Sequence, residues 1–210
     1  LRVQAGATRL RSSAPYQDGR VEIQDLASQR VARFADARPG ETALDYCAGG
    51  GGKTLALAMH MEGQGRLLAH DAAPPRMEEL RRRAARAGLE VEIIGSEPAT
   101  APLACDLVLV DAPCSGSGAW RRQPDAKWRL TPAELARLQA LQDQILALAC
   151  RHVRPGGRLV YATCSLFEAE NGDRVAAFLA ARPDFRREAE LRLTPLEGGD
   201  GFYACRLRPG

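Results

Sequence analysis

Apolar residues Ile23, Leu26, Ala27, Val31 and Phe34 recur at helical spacing, and Pro39-Gly40 stops the helix they predict. Beyond that point short apolar runs alternate with amphipathic stretches. Runs at 42–46, 66–70, 91–94 and 107–110 read as strands, the last so uniformly apolar that it belongs at the centre of a sheet. Helices are predicted between them over 53–61 and, after Pro74-Pro75, over 76–87. Thr131-Pro132-Ala133-Glu134 is a capping box with proline at the first helical position. Leu135, Leu138, Leu141, Ile145, Leu146 and Ala149 carry the helix it opens, and Pro155-Gly156-Gly157 ends it. A fifth strand over 158–162 and a helix over 168–181 follow. Strands near 188–193 and 202–207 then form an antiparallel pair.

Strands alternating with helices build an α/β domain with a mainly parallel sheet covered on both faces. Residues 1–22 show no period and read as an irregular or extended lead-in, leaving 23–210 as one domain. With 210 residues, 45% of them hydrophobic and 26% charged, the chain is expected to fold as an ordinary globular protein. No run approaches the length of a membrane-spanning helix. Leu1-Arg2-Val3-Gln4 shows neither an apolar signal segment nor an initiator Met, so a cytoplasmic protein with residues missing upstream is expected.

The net charge of +3 is too mild to imply nucleic acid by itself. Its distribution says more: the only lysines, Lys53 and Lys127, both fall in loops that follow strands. The six cysteines, Cys47, Cys105, Cys114, Cys150, Cys164 and Cys205, include no CxxC pair. A zinc site is therefore not expected, and several of them sit in apolar runs as small hydrophobes. Cys114 and Cys164 differ, because each lies beside turn residues at the end of a strand.

Ligands of a parallel sheet bind outside the carboxyl ends of its strands. The first such loop is Asp45-Tyr46-Cys47-Ala48-Gly49-Gly50-Gly51-Gly52-Lys53-Thr54. The first glycine of the GxxxxGK[ST] phosphate-loop pattern is missing, and Thr54 breaks the dinucleotide fingerprint GxGxxG. A methyltransferase loop asks only for a glycine-rich turn here and an acid after the second strand to hold a ribose. Asp71 supplies that acid, although a helix cap is an alternative role for it. The fourth loop is Asp111-Ala112-Pro113-Cys114-Ser115-Gly116 and the fifth Thr163-Cys164-Ser165. Two thiols and a carboxyl group thus converge on one cleft. That set suits addition of a thiolate to C6 of cytosine, which makes C5 nucleophilic toward a methyl donor, with a carboxyl facing N3.

These loops, with Pro124-Asp125-Ala126-Lys127-Trp128 and Glu170-Asn171, resemble the NOL1/NOP2/Sun family of RNA cytosine-5 methyltransferases. Within it, the likeness is to the catalytic domain of the bacterial 16S rRNA enzymes of the RsmB type, over nearly the whole chain. The resemblance implies a Rossmann-like S-adenosylmethionine-dependent methyltransferase fold and methyl transfer to C5 of a cytosine in RNA, 16S rRNA foremost. It implies that Cys164 is the nucleophile, that Cys114 assists release, and that Asp111 contacts both base and cofactor. A Pro-turn loop also suits a mobile, assisting Cys114. Cys47, Ala48, Gly49, Gly50, Gly51, Gly52 and Lys53 would line the methionine end of the cofactor. Asp71 and Arg76 would serve its ribose, and Glu97 would stand where the family carries Asp. Gly49-Gly50 departs from the family's usual Ala-Pro.

Arg121, Arg122, Lys127, Trp128 and Arg129, with Trp120 beside them, offer cations and rings for RNA phosphates and an extruded base. Arg81, Arg82, Arg83 and Arg86 read as a solvated helix face. The lead-in reads as a remnant of an RNA-binding N-terminal region, and a monomer without metal is expected. Two other readings compete. A DNA cytosine-5 methyltransferase shares the Pro-Cys loop but lacks the Thr-Cys-Ser loop and carries a large recognition insert. A catalytically idle RNA-binding assembly factor accounts for the altered glycine loop but not for two retained cysteines.

Overall fold

The computed structural model describes residues 7–95 and 101–210. In chain order its helices and strands are α1 (Ala7–Leu10), α2 (Ala14–Gln17), α3 (Leu26–Phe34), β1 (Thr42–Asp45), α4 (Gly52–His60), β2 (Arg66–Ala69), α5 (Pro74–Ala87) and β3 (Glu92–Ile93). There follow β4 (Cys105–Asp111), α6 (Ala126–Arg129), α7 (Pro132–Ala149), β5 (Val153–Thr163), α8 (Gly172–Ala181), β6 (Phe185–Leu193) and β7 (Phe202–Pro209). The strands form one sheet in the order β3-β2-β1-β4-β5-β7-β6. Strands β1 to β5 pair in parallel, and β7 runs antiparallel to both β5 and β6.

Period-two alternation divides the core between the two faces of the sheet. Leu107 and Leu109 of β4 join Leu67 and Val160 in packing on Leu57, Ala58 and Met61 at α4. Ala27 and Val31 of α3 cover Ala162 and Ala204, while Met77, Leu80 and Ala84 of α5 cover Ala69. On the opposite face Val108, Val110, Leu159 and Tyr161 meet Leu146 and Ala149 of α7 and Val175 and Phe178 of α8. At the far end of the sheet from the cleft, the buried Arg158 guanidinium donates twice to the Glu41 carboxylate, at 2.9 and 2.7 Å, and once to the Ala35 carbonyl. That bidentate geometry ties the loop before β1 to β5.

Four expectations need adjusting. The lead-in holds the two helical turns α1 and α2, and Glu22 accepts from Arg83 and Arg86 while Arg86 lies 4.2 Å from the centre of the Tyr16 ring. Arg83 and Arg86 therefore face inward; only Arg81 and Arg82 remain solvated, paired with Glu78 and Glu79. Strand β5 begins at Val153, with Pro155-Gly156-Gly157 forming an irregularity opposite Cys105 and Leu107 rather than a break between elements. The helix expected over 168–181 is split: a single turn, Glu168–Glu170, ends at Asn171 before α8 starts.

Candidate active site

A cleft of about 840 Å³ opens at the carboxyl ends of β1, β2, β4 and β5. Its walls include the glycine loop, Asp71, Arg76, Asp111, Cys114 and Cys164, with Leu141, Ile145 and Leu148 of α7 as an apolar flank.

On the β1 side, Gly51 precedes α4 with φ +80°, and a Cβ there would lie 2.3 Å from Leu80 Cδ1. Only glycine lets the turn sit this close to α5. Asp71 Oδ2 accepts from the Gly49 N–H at 2.8 Å, and its Oδ1 accepts from the Ala73 N–H at 2.8 Å. The acid after β2 thus ties the glycine loop to the turn leading into α5, and Arg76 reaches it at 3.6 Å. Arg83 donates to the Gly50 carbonyl at 2.6 Å and fixes the loop from the outside.

Beneath the loop, Asp45 ends β1 fully buried. Thr54 donates to its Oδ2 at 2.7 Å, while Oδ1 has no hydrogen-bond partner among the described residues. Burial, opposed by Thr54, pushes this carboxyl up to about 7. Next to it the Lys53 ammonium, only 8% exposed, pairs with Asp111 Oδ2 at 2.7 Å and lies 4.7 Å from the centre of the Phe202 ring. The Cys47 thiol is raised by burial, which keeps it protonated.

The two thiols meet at the mouth of the cleft. Cys114 Sγ and Cys164 Sγ lie 3.4 Å apart. The contact with Cys114 holds the Cys164 thiol below its ordinary range, against burial and Asp111 and with help from Lys53. The same contact, together with burial, pushes the Cys114 thiol well above its ordinary range. The surroundings thus bias Cys164, rather than Cys114, toward the thiolate.

Hydrogen bonds tie the Cys114 loop to its neighbours. Glu170, fully buried, accepts from the Ser115 N–H at 2.9 Å, from Gln142 Nε2 at 3.0 Å, from Ser165 Oγ at 2.6 Å and from Ser115 Oγ. Gln142 also donates to the Pro113 carbonyl at 2.9 Å. Asn171 accepts from Thr163 Oγ1 at 2.5 Å and donates to the Ser165 carbonyl at 3.0 Å. A second approach of backbones closes the floor: Gly118 donates to the Cys164 carbonyl at 2.9 Å. A Cβ on Gly118 would lie 2.1 Å from the Gly201 carbonyl oxygen.

The basic loop divides in two. Arg121 and Arg122 both bind the buried Asp200, at 2.8 and 2.5 Å, and Arg121 also binds Asp25 at 2.9 Å. These arginines brace the cleft wall, and Arg122 also lines the cleft. Trp120 packs edge-on against Phe167 at 5.9 Å. Trp128, by contrast, is 80% exposed, with Lys127 Nζ 4.5 Å from the centre of its ring and Arg129 paired to Asp125 nearby. Glu97 lies outside the described residues.

Sequence reasoning missed Asp45, Phe202, Gln142 and Asp200, and quoted Glu170 only as part of a motif. An acid at the last position of a buried strand was a usable signal for Asp45. The other residues reach the site through tertiary contacts that no local pattern announces.

A family model described as 16S rRNA methyltransferase RsmB/F matches residues 32–208. Ribosomal RNA small subunit methyltransferase B of Klebsiella pneumoniae subsp. pneumoniae is 35% identical over 96% of this chain and 51% of its own length. The protein of the same name from Serratia proteamaculans is 34% identical over 91% of this chain and 48% of its own. The chain thus spans about half the length of these curated relatives. Among solved structures, a methyltransferase homolog protein from Pyrococcus horikoshii superposes with a TM-score of 0.82 at 26% identity, covering 96% of this chain and 72% of that one. With its matched region reaching from α3 into β7, the chain belongs to the 16S rRNA methyltransferase RsmB/F family.

Proposed function

We propose that this chain is a catalytic methyltransferase domain that transfers a methyl group from S-adenosylmethionine to C5 of a cytosine in RNA, through a covalent bond between Cys164 and C6. The contact of Cys114 with Cys164 at 3.4 Å, beside the Lys53–Asp111 pair, carries this reading. It is a two-thiol site with one thiol biased toward the thiolate, at the sheet edge where ligands bind.

The cleft fits the cofactor on features of its own. The unpartnered Asp45 Oδ1 suits an ammonium group at the methionine end. The glycine loop admits close backbone approach, and Asp71 with Arg76, which line the same cleft, offer a carboxylate and a cation that would serve ribose hydroxyls. Leu141, Ile145 and Leu148 offer an apolar wall for a base. When bound, S-adenosylmethionine supplies an electrophilic methyl group on a sulfonium.

The chain's own residues divide the remaining chemistry. Cys164 forms the S–C6 bond with its thiolate pair, and the displaced π electrons make C5 the nucleophile. As addition drives electron density onto N3, N3 takes up a proton from water, and Asp111, held by Lys53, accepts hydrogen bonds from the N3–H and the exocyclic amine. After C5 has gained its methyl group, Cys114, once it has released its own proton to solvent, takes the C5 proton, and the C5–H electron pair re-forms the C5–C6 double bond. The C6–S bond then breaks and its electron pair returns to Cys164. Trp128 and Lys127 give flanking RNA a ring to stack on and a cation for phosphate.

Incubating the protein with S-adenosylmethionine and RNA that spans accessible cytosines, followed by nucleoside mass spectrometry, tests the reading. The expected product is 5-methylcytosine, absent in Cys164→Ala. Methylation at any other atom, or of DNA in preference to RNA, would overturn it.

A further inference from the structure

Between the two thiol-bearing loops sits a buried group that touches neither thiol. We propose that Glu170 is a positioning residue that clamps the Cys114 loop to the Cys164 loop, so that the two thiols stay in hydrogen-bond contact.

The geometry of its carboxyl group is the argument. Oε1 accepts two N–H donors, the Ser115 backbone at 2.9 Å and the Gln142 amide at 3.0 Å. Oε2 accepts two hydroxyls, Ser165 at 2.6 Å and Ser115. Ser115 is the neighbour of Cys114 in sequence, and Ser165 is the neighbour of Cys164. One side chain thus bridges the residues next to both sulfurs. Its own position is fixed from behind, because Tyr161 donates to the Glu170 carbonyl at 2.6 Å and the following Asn171 binds Thr163 and Ser165. Through Gln142 the same group also reaches α7 and, by its second bond, the Pro113 carbonyl on the other side of Cys114. No other hydrogen bond or ion pair among the described residues joins the side chains of residues 114–117 to those of 164–165 except the direct thiol contact and the Ser165 hydroxyl contacts with Ser115 and Ser117. Without the carboxyl group, those hydroxyls and the buried Gln142 amide lose their shared acceptor. A displacement of about 1 Å at reacting groups is enough to cost orders of magnitude in rate.

The distribution of donors makes the idea testable. A glutamine can place its oxygen at the Oε1 position, where both partners are N–H groups, and its NH2 at the Oε2 position, where both partners are hydroxyls that can turn to accept. Glu170→Gln therefore keeps the clamp while removing the charge, and Glu170→Ala removes both. Other groups that bear on the thiols are unchanged in these variants: Lys53 and Asp111 on the Cys164 side, Arg122 nearby, and Tyr161 on the Cys114 side.

The proposal rests on the thiol roles given above for its catalytic meaning, but its measurement needs no RNA. Diamide, which takes two electrons and two protons from a thiol pair as the disulfide forms, reports their proximity. Mass spectrometry of peptides identifies the Cys114–Cys164 bond. Iodoacetamide labelling of Cys164 from about pH 6 to about pH 10 reports its thiolate fraction. In Glu170→Ala, formation of that disulfide is expected to slow by roughly tenfold or more, and the Cys164 labelling profile to move toward that of an ordinary thiol. Glu170→Gln is expected to restore both. Ser165→Ala, which removes the hydroxyl that Glu170 shares with Ser115, Ser117 and the Phe167 N–H but leaves the carboxyl on the Cys114 loop, serves if Glu170→Ala lacks a cooperative thermal transition, and is expected to show a slowing of the same kind. A cooperatively folding Glu170→Ala, or in its place Ser165→Ala, with wild-type rates and profile would overturn the clamp, as would a folded Glu170→Gln that rescues neither readout. Loss in Glu170→Ala with rescue in Glu170→Gln supports it. Absence of methyl transfer by the wild-type chain would count against the proposed function alone.

Discussion

Lys53 Nζ and Asp111 Oδ2 meet at 2.7 Å across the floor of the cleft, and the two partners are unequally buried: the lysine side chain is 8% exposed, the aspartate 30%. Removing Asp111 strands a buried ammonium, whereas removing Lys53 leaves a carboxylate that water can reach. Asp111→Asn is therefore expected to destabilise the fold by ~3 kcal/mol, as for a buried pair broken on one side. Lys53→Met is expected to cost about 1 kcal/mol or less. Urea unfolding checks the order, and a larger loss in Lys53→Met would contradict it.

The thiols differ in what their loss should leave behind. Cys164→Ala is expected to transfer no methyl group and form no adduct. Cys114→Ala is expected to accumulate a covalent protein–RNA species, seen as a slow band on a denaturing gel and abolished by the second substitution Cys164→Ala. An adduct that survives Cys164→Ala would reverse the assignment.

Asp45 makes stability depend on pH. Its carboxyl ionises near 3.8 in an unfolded chain and at about 7 when folded. Between those values the folded state holds a proton that the unfolded chain has released, so its contribution to stability is lost as pH rises from about 4 to about 7. Asp45→Asn keeps an acceptor for Thr54 without the charge. Its stability relative to wild type is expected to improve by a few kcal/mol across that range, measured as urea midpoints at each pH. A constant difference would show that Asp45 does not titrate there.

Neighbouring glycines of the loop should respond with opposite signs. A Cβ at Gly51 collides with Leu80 at 2.3 Å in a left-handed backbone, so Gly51→Ala is expected to cost about 1–3 kcal/mol. At Gly50 the nearest atom to a Cβ is Glu79 Cγ at 3.6 Å, an ordinary contact. Gly50→Ala is expected to stabilise by ~0.4–1 kcal/mol through the unfolded chain. Thermal unfolding of the two variants provides the comparison.

The two tryptophans of the basic loop separate binding from packing. Trp128→Ala is expected to weaken single-stranded RNA binding by ~1–3 kcal/mol, the range for a stacked base, with an unchanged melting temperature. Trp120→Ala is expected to lower stability by about 2 kcal/mol or more, because Trp120 packs on Phe167. Fluorescence titration with labelled RNA and calorimetry of the protein distinguish them.

Much of this was legible along the chain where the determinants are local. Thr131 Oγ1 accepts from the Glu134 N–H at 3.2 Å, as its capping pattern requires, and α7 starts at Pro132. Short apolar runs marked the strands, and the strand-end rule brought Cys114 and Cys164 to one cleft. What local pattern could not show is who neutralises whom. Arg122 and Asp200 are 78 positions apart, so two arginines that look like phosphate ligands turn out to brace a wall. Arg83 and Arg86, in a run of charges on an amphipathic helix, are turned inward by Glu22 more than 60 positions before them. Glu97 was reached by counting without gaps through a segment where spacing alone is a poor guide, and it lies outside the described residues.

Strand β7 pairs with β5 yet follows every other strand along the chain. Asp200 and Phe202, at its entrance, reach back to Arg121, Arg122 and Lys53, and the Asp200 N–H donates to Asp25 from 175 positions away. During synthesis, therefore, the five parallel strands and both cysteines emerge from the ribosome before the cleft has its floor. Of these contacts the one between Asp25 and Asp200 closes the longest loop, and the entropic cost of closure grows with loop length. A nascent chain halted before Asp200 holds Lys53 without its ring and two arginines without their shared acid, so the site is incomplete until β7 has docked.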